Sequence, residues 1–104
     1  MNIVILGAGQ VGSELSAILA SDHDVTLIDL KQEELQKISD HHDLKTICGN
    51  ACYPKTLEQA EIETADLAIA MTQYDEVNMV ACQMIKHMSK KTKTMARIRA
   101  TQYL

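Results

Sequence analysis

Residues 3 to 12 read Ile3-Val4-Ile5-Leu6-Gly7-Ala8-Gly9-Gln10-Val11-Gly12, an apolar run that stops at a glycine and is followed by two more. A short continuous apolar run bounded by glycine is what a strand buried on both faces of a parallel sheet requires. From Val11 the period changes. Val11, Leu15, Ile18 and Leu19 recur at helical spacing, and the helix is expected to end near Ser21-Asp22. Glycines spaced G-x-G-x-x-G between a strand and a helix have separate tasks. Gly7 permits the tight turn, Gly9 lets the backbone approach a pyrophosphate, and Gly12 allows close packing of helix on strand, so that phosphates rest on the helix N-terminus.

Outward from this stretch, the same alternation repeats. Val25 to Ile28 is a second strand, stopped by Asp29, and a thin surface helix with Leu35 and Ile38 on its apolar side follows over about 31 to 41. Lys45 to Cys48 makes a third strand. Gly49 to Pro54 is a loop, with Pro54 suited to the first turn of a short helix through Ala60. A fourth strand covers Leu67 to Met71. The helix after it carries Val77, Val80, Ala81, Met84, Ile85 and Met88 in an i, i+3, i+4 pattern, and Thr94 to Ile98 reads as a fifth strand. Strands alternating with helices imply right-handed βαβ units. The expected fold is α/β, a Rossmann-type doubly wound parallel sheet of five strands in the order 3-2-1-4-5.

At 104 residues the chain has room for one domain, residues 1–104, and none for a separate substrate domain. The two-half version of the fold would still need a sixth strand after Leu104, so a fragment of a longer protein is expected. No basic leader precedes the first strand, and no apolar run approaches the roughly 18 residues of a membrane span. A cytoplasmic location without direct membrane insertion follows. Cys48, Cys52 and Cys82 are an odd set best read as reduced thiols, and Cys48-x-x-x-Cys52 lacks a second ligand pair at metal spacing, so no metal is expected. Residues 1 to 76 carry −10 and residues 77 to 104 carry +6. Most of that positive charge falls at a helix end and the loop after it, where cations complement the helix dipole, and no nucleic-acid partner is expected.

Asp29 ends the second strand twenty residues after Gly9, where an acid accepts hydrogen bonds from ribose hydroxyls, and Leu30 and Lys31 follow it along the same edge. A carboxylate there repels a 2′-phosphate, which favours NAD or NADH, or an unmodified adenosine ribose, over NADP. Gly49, Asn50 and Ala51 follow strand three, where an adenine ring would lie; Thr72, Asp75 and Asn78 follow strand four, near a second ribose or phosphate. For these residues turn and cap chemistry is an equal alternative. Catalysis has less support. Ligands bind at the carboxyl ends of parallel strands, whereas His23, His41, His42 and His87 belong to the opposite edge. Cys52, Tyr53 and Tyr74 are at the correct edge with no base or oxyanion donors assembled around them. No catalytic residue is assigned, and a cofactor domain of an NAD-dependent oxidoreductase stands as the alternative.

With these residues in place, the whole chain resembles the N-terminal nucleotide-binding domain of Trk-type potassium uptake regulators, the TrkA family, also called the KTN or regulator-of-potassium-conductance domain. Residues 3 to 12 are similar to its opening strand and loop, Asp29 falls on its ribose-binding acid, AMTQYDEVNMVACQ at 70 to 83 resembles its T-x-x-D-E-x-N stretch, and ARIR at 96 to 99 its fifth strand. The resemblance implies a regulatory, non-enzymatic domain that takes NADH, NAD, ATP or ADP. It implies a location at the inner face of the membrane against an embedded potassium transporter subunit, and assembly as a homo-oligomer, a dimer or a larger ring. Two departures stand out. Asn50 and Cys52 replace the Asp and Ser or Thr common after strand three, and Gln10 stands where some relatives have arginine, which gives less to a terminal triphosphate and favours a dinucleotide. Arg97 and Arg99 supply that charge if the end of strand five turns toward the phosphates.

Overall fold

The computed structural model describes residues 1–103. Five strands, β1 (Asn2–Leu6), β2 (Asp24–Asp29), β3 (Lys45–Cys48), β4 (Leu67–Ala70) and β5 (Lys93–Ala96), alternate with four helices, α1 (Gln10–Ala20), α2 (Gln32–Ser39), α3 (Pro54–Gln59) and α4 (Asp75–Met88). All ladders are parallel, and the order is β3-β2-β1-β4-β5, as the alternation predicts. The central strand shows why its sequence is continuously apolar. Ile3 and Ile5 pack with Leu27, Leu35 and Ile69 beneath α1 and α2, while Val4 and Leu6 pack with Leu57, Ile62 and Ile85 on the face covered by α3 and α4.

The order of strands, not their direction, reverses between β1 and β4, because the chain crosses from the β2–β3 side to the β4–β5 side. The carboxyl ends of β1 and β4 therefore open a crevice into which the loops after both strands project. Three backbone bonds hold those loops level: Gly7 N donates to Ile28 O at 2.8 Å, Met71 N to Leu6 O at 2.7 Å and Gly49 N to Asp29 O at 2.9 Å.

The structure corrects the sequence expectation in detail. Val11 and Ile18 are 45% and 69% exposed, so the apolar stripe of α1 is not centred on the core, and on α4 Val80 is likewise exposed. Gly12 and Ser16 are the buried positions of that helix, and Ser16 is tolerated there because its hydroxyl donates to Gly12 O at 2.7 Å. β4 ends at Ala70 rather than Met71, α2 is shorter than expected, and β5 runs from Lys93 to Ala96 rather than 94 to 98. Two short 3-10 turns, Ile62–Thr64 and Thr101–Tyr103, were not foreseen. Met84, Met88 and Cys82 pack against the core from α4 as expected.

The basic residues of the last quarter divide between the two edges of the sheet. Lys90, Lys91 and Lys93 lie at the amino edge, where Lys91 pairs with Asp66 at 3.4 Å, and Arg97 and Arg99 follow the carboxyl end of β5. They form no single stripe. Among the described residues no helix is long and apolar enough to cross a membrane, and no group of His, Cys, Asp or Glu side chains is placed to hold a metal ion.

Candidate nucleotide-binding site

The three glycines of the first loop differ in what the fold demands of them. Gly7 has φ +110°, and a Cβ there would come within 2.9 Å of Thr72 N and 3.0 Å of the Met71 carbonyl carbon. At Gly12 a Cβ would overlap the Gly7 carbonyl oxygen. Both positions need glycine for the fold itself. Gly9 is different: its φ is −67°, which any residue adopts, and nothing lies within 4 Å of a Cβ built there. It stands at the N-cap of α1, where no side chain caps the helix and no acid occupies the first turn.

Asp29 reaches this loop directly. Its Oδ1 accepts from Ala8 N at 2.9 Å and its Oδ2 from Lys31 N at 2.9 Å, so the carboxylate ties the glycine loop to the turn after β2. An ionised carboxylate offers about four acceptor positions, which leaves two for other donors. Leu30 is exposed, and its carbonyl accepts from the Cys48 thiol at 3.4 Å. Gln10, Val11 and Lys31 are also exposed around the loop. An open groove of about 370 Å³ runs from Ala8, Gly9 and Gln10 between α1 and α2. A larger concavity, about 490 Å³, lies at the opposite edge beside Asp24, Lys45 and Glu61, away from all of these groups.

After β3, the Gly49 backbone is pressed against the Thr56 side chain, 2.9 Å from an added Cβ. Asn50 Oδ1 accepts from Cys52 N at 2.8 Å, and Ala51 is buried in the core cluster. The Asn50 Oδ1 and the Ala51 side chain are thus engaged in turn and packing, which leaves backbone and the Asn50 amide nitrogen at this edge. Thr72, Asp75, Asn78 and Arg99 come together after β4 and β5, but not all face outward. Asn78 is fully buried, and its Oδ1 accepts from Thr72 N at 2.9 Å and Thr72 Oγ1 at 2.6 Å. Its Nδ2 donates to Thr72 O at 3.1 Å and Arg97 O at 2.9 Å. Asp75 accepts from Arg99 N at 3.0 Å and Ala100 N at 2.8 Å, and the Arg99 guanidinium donates to Gln73 O at 2.7 Å. Sequence reading had no signal for Ala100, Gln73 or the Tyr103 hydroxyl, which donates to Glu76 Oε2 at 2.7 Å, because these bonds depend on where the chain goes after β5.

The two backbone N–H groups of Ala100 and Arg99 hold the Asp75 carboxyl below the usual carboxylate range, helped by the charges of Arg99 and Arg97. A depressed folded value means the bond is fully present above the unfolded carboxylate range and is lost as pH falls through the folded value. Acid titration followed by amide exchange should therefore show Arg99 and Ala100 protected at neutral pH and released only below pH about 4. Release at pH 5 or above would contradict the assignment. Burial pushes the Cys52 and Cys82 thiols up, which suits neither as a nucleophile. His23 bonds the N-terminal amine at the amino edge, and His41, His42 and His87 precede β3 and β5 at that same edge, as expected.

The TrkA-N domain family model matches residues 3–104. The Trk system potassium uptake protein TrkA of Haemophilus influenzae is 46% identical over 105 residues, which covers all of this chain and 23% of that protein. The chain thus spans about a quarter of the length of the curated relatives it matches throughout. Among solved structures, the TrkA-N domain of the inner membrane protein ybaL from Escherichia coli superposes with a TM-score of 0.88 at 20% identity, over 97% of this chain and 75% of that one. The Kef CTD of Shewanella denitrificans in its AMP-bound form gives 0.84 at 17% identity, over 99% and 62%. Those two likenesses show the Rossmann-type fold. With the family model matching nearly the whole length and a relative 46% identical over all of it, the chain belongs to the TrkA-N domain family.

Proposed function

We propose that this chain is a regulatory nucleotide-binding domain, with NAD or NADH as its preferred ligand and ATP or ADP as the alternative, and that it controls a membrane-embedded potassium uptake transporter. The observation that carries the reading is Gly9. Its neighbours Gly7 and Gly12 are glycine for the fold's own reasons, whereas no protein atom forbids a side chain at Gly9. A bare backbone beside an uncapped helix N-terminus is what close approach of a pyrophosphate requires.

The residues fit such a ligand. Residues 7 to 12 and the first turn of α1 hold the phosphates, Asp29 has acceptor positions left for ribose hydroxyls, and Gly49, Asn50 and Ala51 offer backbone to the adenine edge. The first turn of α4 carries Asp75 and Glu76 while that of α1 carries no acid. The N-terminus of α4 already has its complementary acids, whereas that of α1 is left for the phosphates. The far end of the ligand near Thr72 and Arg99 is then a nucleoside rather than a phosphate tail, which favours a dinucleotide. The ligand supplies binding energy only, since no histidine of the chain lies at this edge and the half-buried Cys52 and Cys82 thiols are poor nucleophiles.

The names of the TrkA relatives support the transport assignment, and the AMP-bound Kef structure supports an adenine nucleotide. On this reading the chain works in the cytoplasm, peripheral to the inner face of the membrane through its transporter partner, as a homo-oligomer. A ligand shifts such an assembly only by binding two of its arrangements unequally. Calorimetric titration of the folded chain with NADH, NAD, ATP and ADP tests the binding step. Saturable binding, strongest for NADH or NAD, is expected; a folded sample that takes none of the four removes the proposal.

A further inference from the structure

The residues from Arg97 to Tyr103 leave the sheet, yet they do not hang free. None of residues 99 to 103 is buried, so the segment has little apolar anchorage. What holds it is polar. Arg97 N donates to Ala70 O at 2.9 Å, Arg97 O accepts from Asn78, the Arg99 and Ala100 amides donate to Asp75, and Tyr103 reaches Glu76.

Asn78 also touches the floor of the crevice. Gly7 lies so close to the Met71–Thr72 peptide that no Cβ fits between them, and the Thr72 N–H and hydroxyl both end on Asn78 Oδ1. An asparagine side chain has two donor hydrogens and two acceptor lone pairs. In Asn78 all four are used inside the protein, so it has nothing left to offer a ligand. The contacts therefore run without a gap from the glycine loop through Thr72 and Asn78 to Arg97, with Asp75 fastening the next two amides.

We propose that Asn78 and Asp75 are positioning residues: they clasp the segment 97–100 to the floor of the nucleotide site, so that a nucleotide at the glycine loop orders the chain that leaves β5. This rests on the nucleotide reading given above. An exposed segment held by polar bonds rather than apolar packing belongs to the weakly protected end of a fold's stability range, which is where ligand binding elsewhere produces a measurable change. The clasp gives binding at one edge of the sheet a route into whatever contacts that segment makes.

The test compares wild type, Asn78→Ala and Asp75→Asn, with NADH and ADP as the probes, by titration and by amide hydrogen exchange resolved to single residues. In wild type, saturating ADP, which lacks the second nucleoside placed near Thr72 and Arg99, is expected to slow exchange of the Arg99 and Ala100 amides about tenfold. Without ligand, both variants should lose protection at those two amides. Asn78→Ala should weaken the probe about tenfold and Asp75→Asn about threefold, and in both the ligand's effect at Arg99 and Ala100 should vanish while protection of residues 7 to 13 persists. A purely structural role would lower stability without abolishing that ligand-dependent signal. If Asn78→Ala does not fold, the Asp75→Asn arm decides alone. Wild type that binds the probe with no change at Arg99 and Ala100, or folded variants that bind as wild type does, overturns the clasp and leaves the nucleotide reading standing. Wild type that binds neither probe overturns both.

Discussion

Gly12→Ala is expected to cost stability and nucleotide binding together, whereas Gly9→Ala is expected to cost nucleotide binding alone. At Gly12 the added carbon overlaps a backbone oxygen, that of Gly7, which has no room to retreat. Gly7 is pinned by its own bond to Ile28 O at 2.8 Å and by its close contact with Thr72. The start of α1 must swing away instead, straining the bonds from Ser13 to Ala8 O and from Ser16 to Gly12 O. Overpacking of this kind costs about 1–3 kcal/mol, a large share of the roughly 5–15 kcal/mol that holds a typical domain together. Nucleotide affinity should fall at least about a hundredfold because the loop and the helix N-terminus are displaced together. At Gly9 the same substitution meets no protein atom, so thermal unfolding should shift little while affinity drops about tenfold or more. A Gly9→Ala protein with wild-type affinity would mean that no ligand approaches the backbone there.

The second large effect belongs to Asp29. Asp29→Ala removes the acceptors proposed for the ribose hydroxyls and also the acceptor of the Ala8 and Lys31 amides. Affinity for NADH or ADP is expected to fall about 10–100-fold, the scale of two lost charge-assisted hydrogen bonds. Stability should fall too, by about 1–2 kcal/mol, because the Ala8 amide is left in a buried position without its partner. The bond to Ala8 makes Asp29 a structural residue as well as a proposed ligand contact. Asp29→Asn separates the two roles. It can keep the Ala8 bond and so the loop, yet it still loses the charge, and with it the discrimination against a 2′-phosphate. Unfolding curves and parallel titrations with NADH and NADPH would show the NADH preference narrowing. An unchanged preference would deny Asp29 its ribose role.

The elements that were legible in the sequence are those set by burial on both sides or by periodicity. Ile3 to Leu6, Val25 to Ile28 and Leu67 to Ala70 announce themselves as strands because a parallel sheet covered on both faces admits little else. Periodicity was weaker evidence about which side of a helix faces inward. In α1 the apolar residues Val11 and Ile18 lie outside while Gly12 and Ser16 lie inside, because close approach to the loop matters more there than apolar area. The buried pair at the amino edge, in which the Ser89 and Thr92 hydroxyls share a 2.7 Å bond and Thr92 reaches Ile62 O and Ala65 O, carries no pattern a sequence could display.

At the site, motif spacing located the edge but not the direction of each side chain. Gly9 and Asp29 stood out because one strand-helix-strand step separates them, which brings both to the carboxyl edge of the sheet. Thr72, Asp75 and Asn78 could equally be ligand contacts or cap and turn residues, and the geometry gives Asn78 and Asp75 to neighbouring backbone. What decides between those roles is the path of residues 97 to 100. That path depends on the Asp75 carboxylate drawing the Arg99 and Ala100 amides off the line of β5, a tertiary contact across 24 and 25 residues of sequence.

The most direct test of where the ligand binds is amide chemical-shift mapping of the isotope-labelled chain as NADH is added. The largest shifts should fall on residues 7 to 13, 29 to 31 and 49 to 51, with smaller ones from 72 to 78 and at Arg99 and Ala100. Shifts gathered instead around Asn2, Asp24 and Lys45, at the concavity on the opposite edge, would contradict the assignment of the glycine loop as the nucleotide's seat.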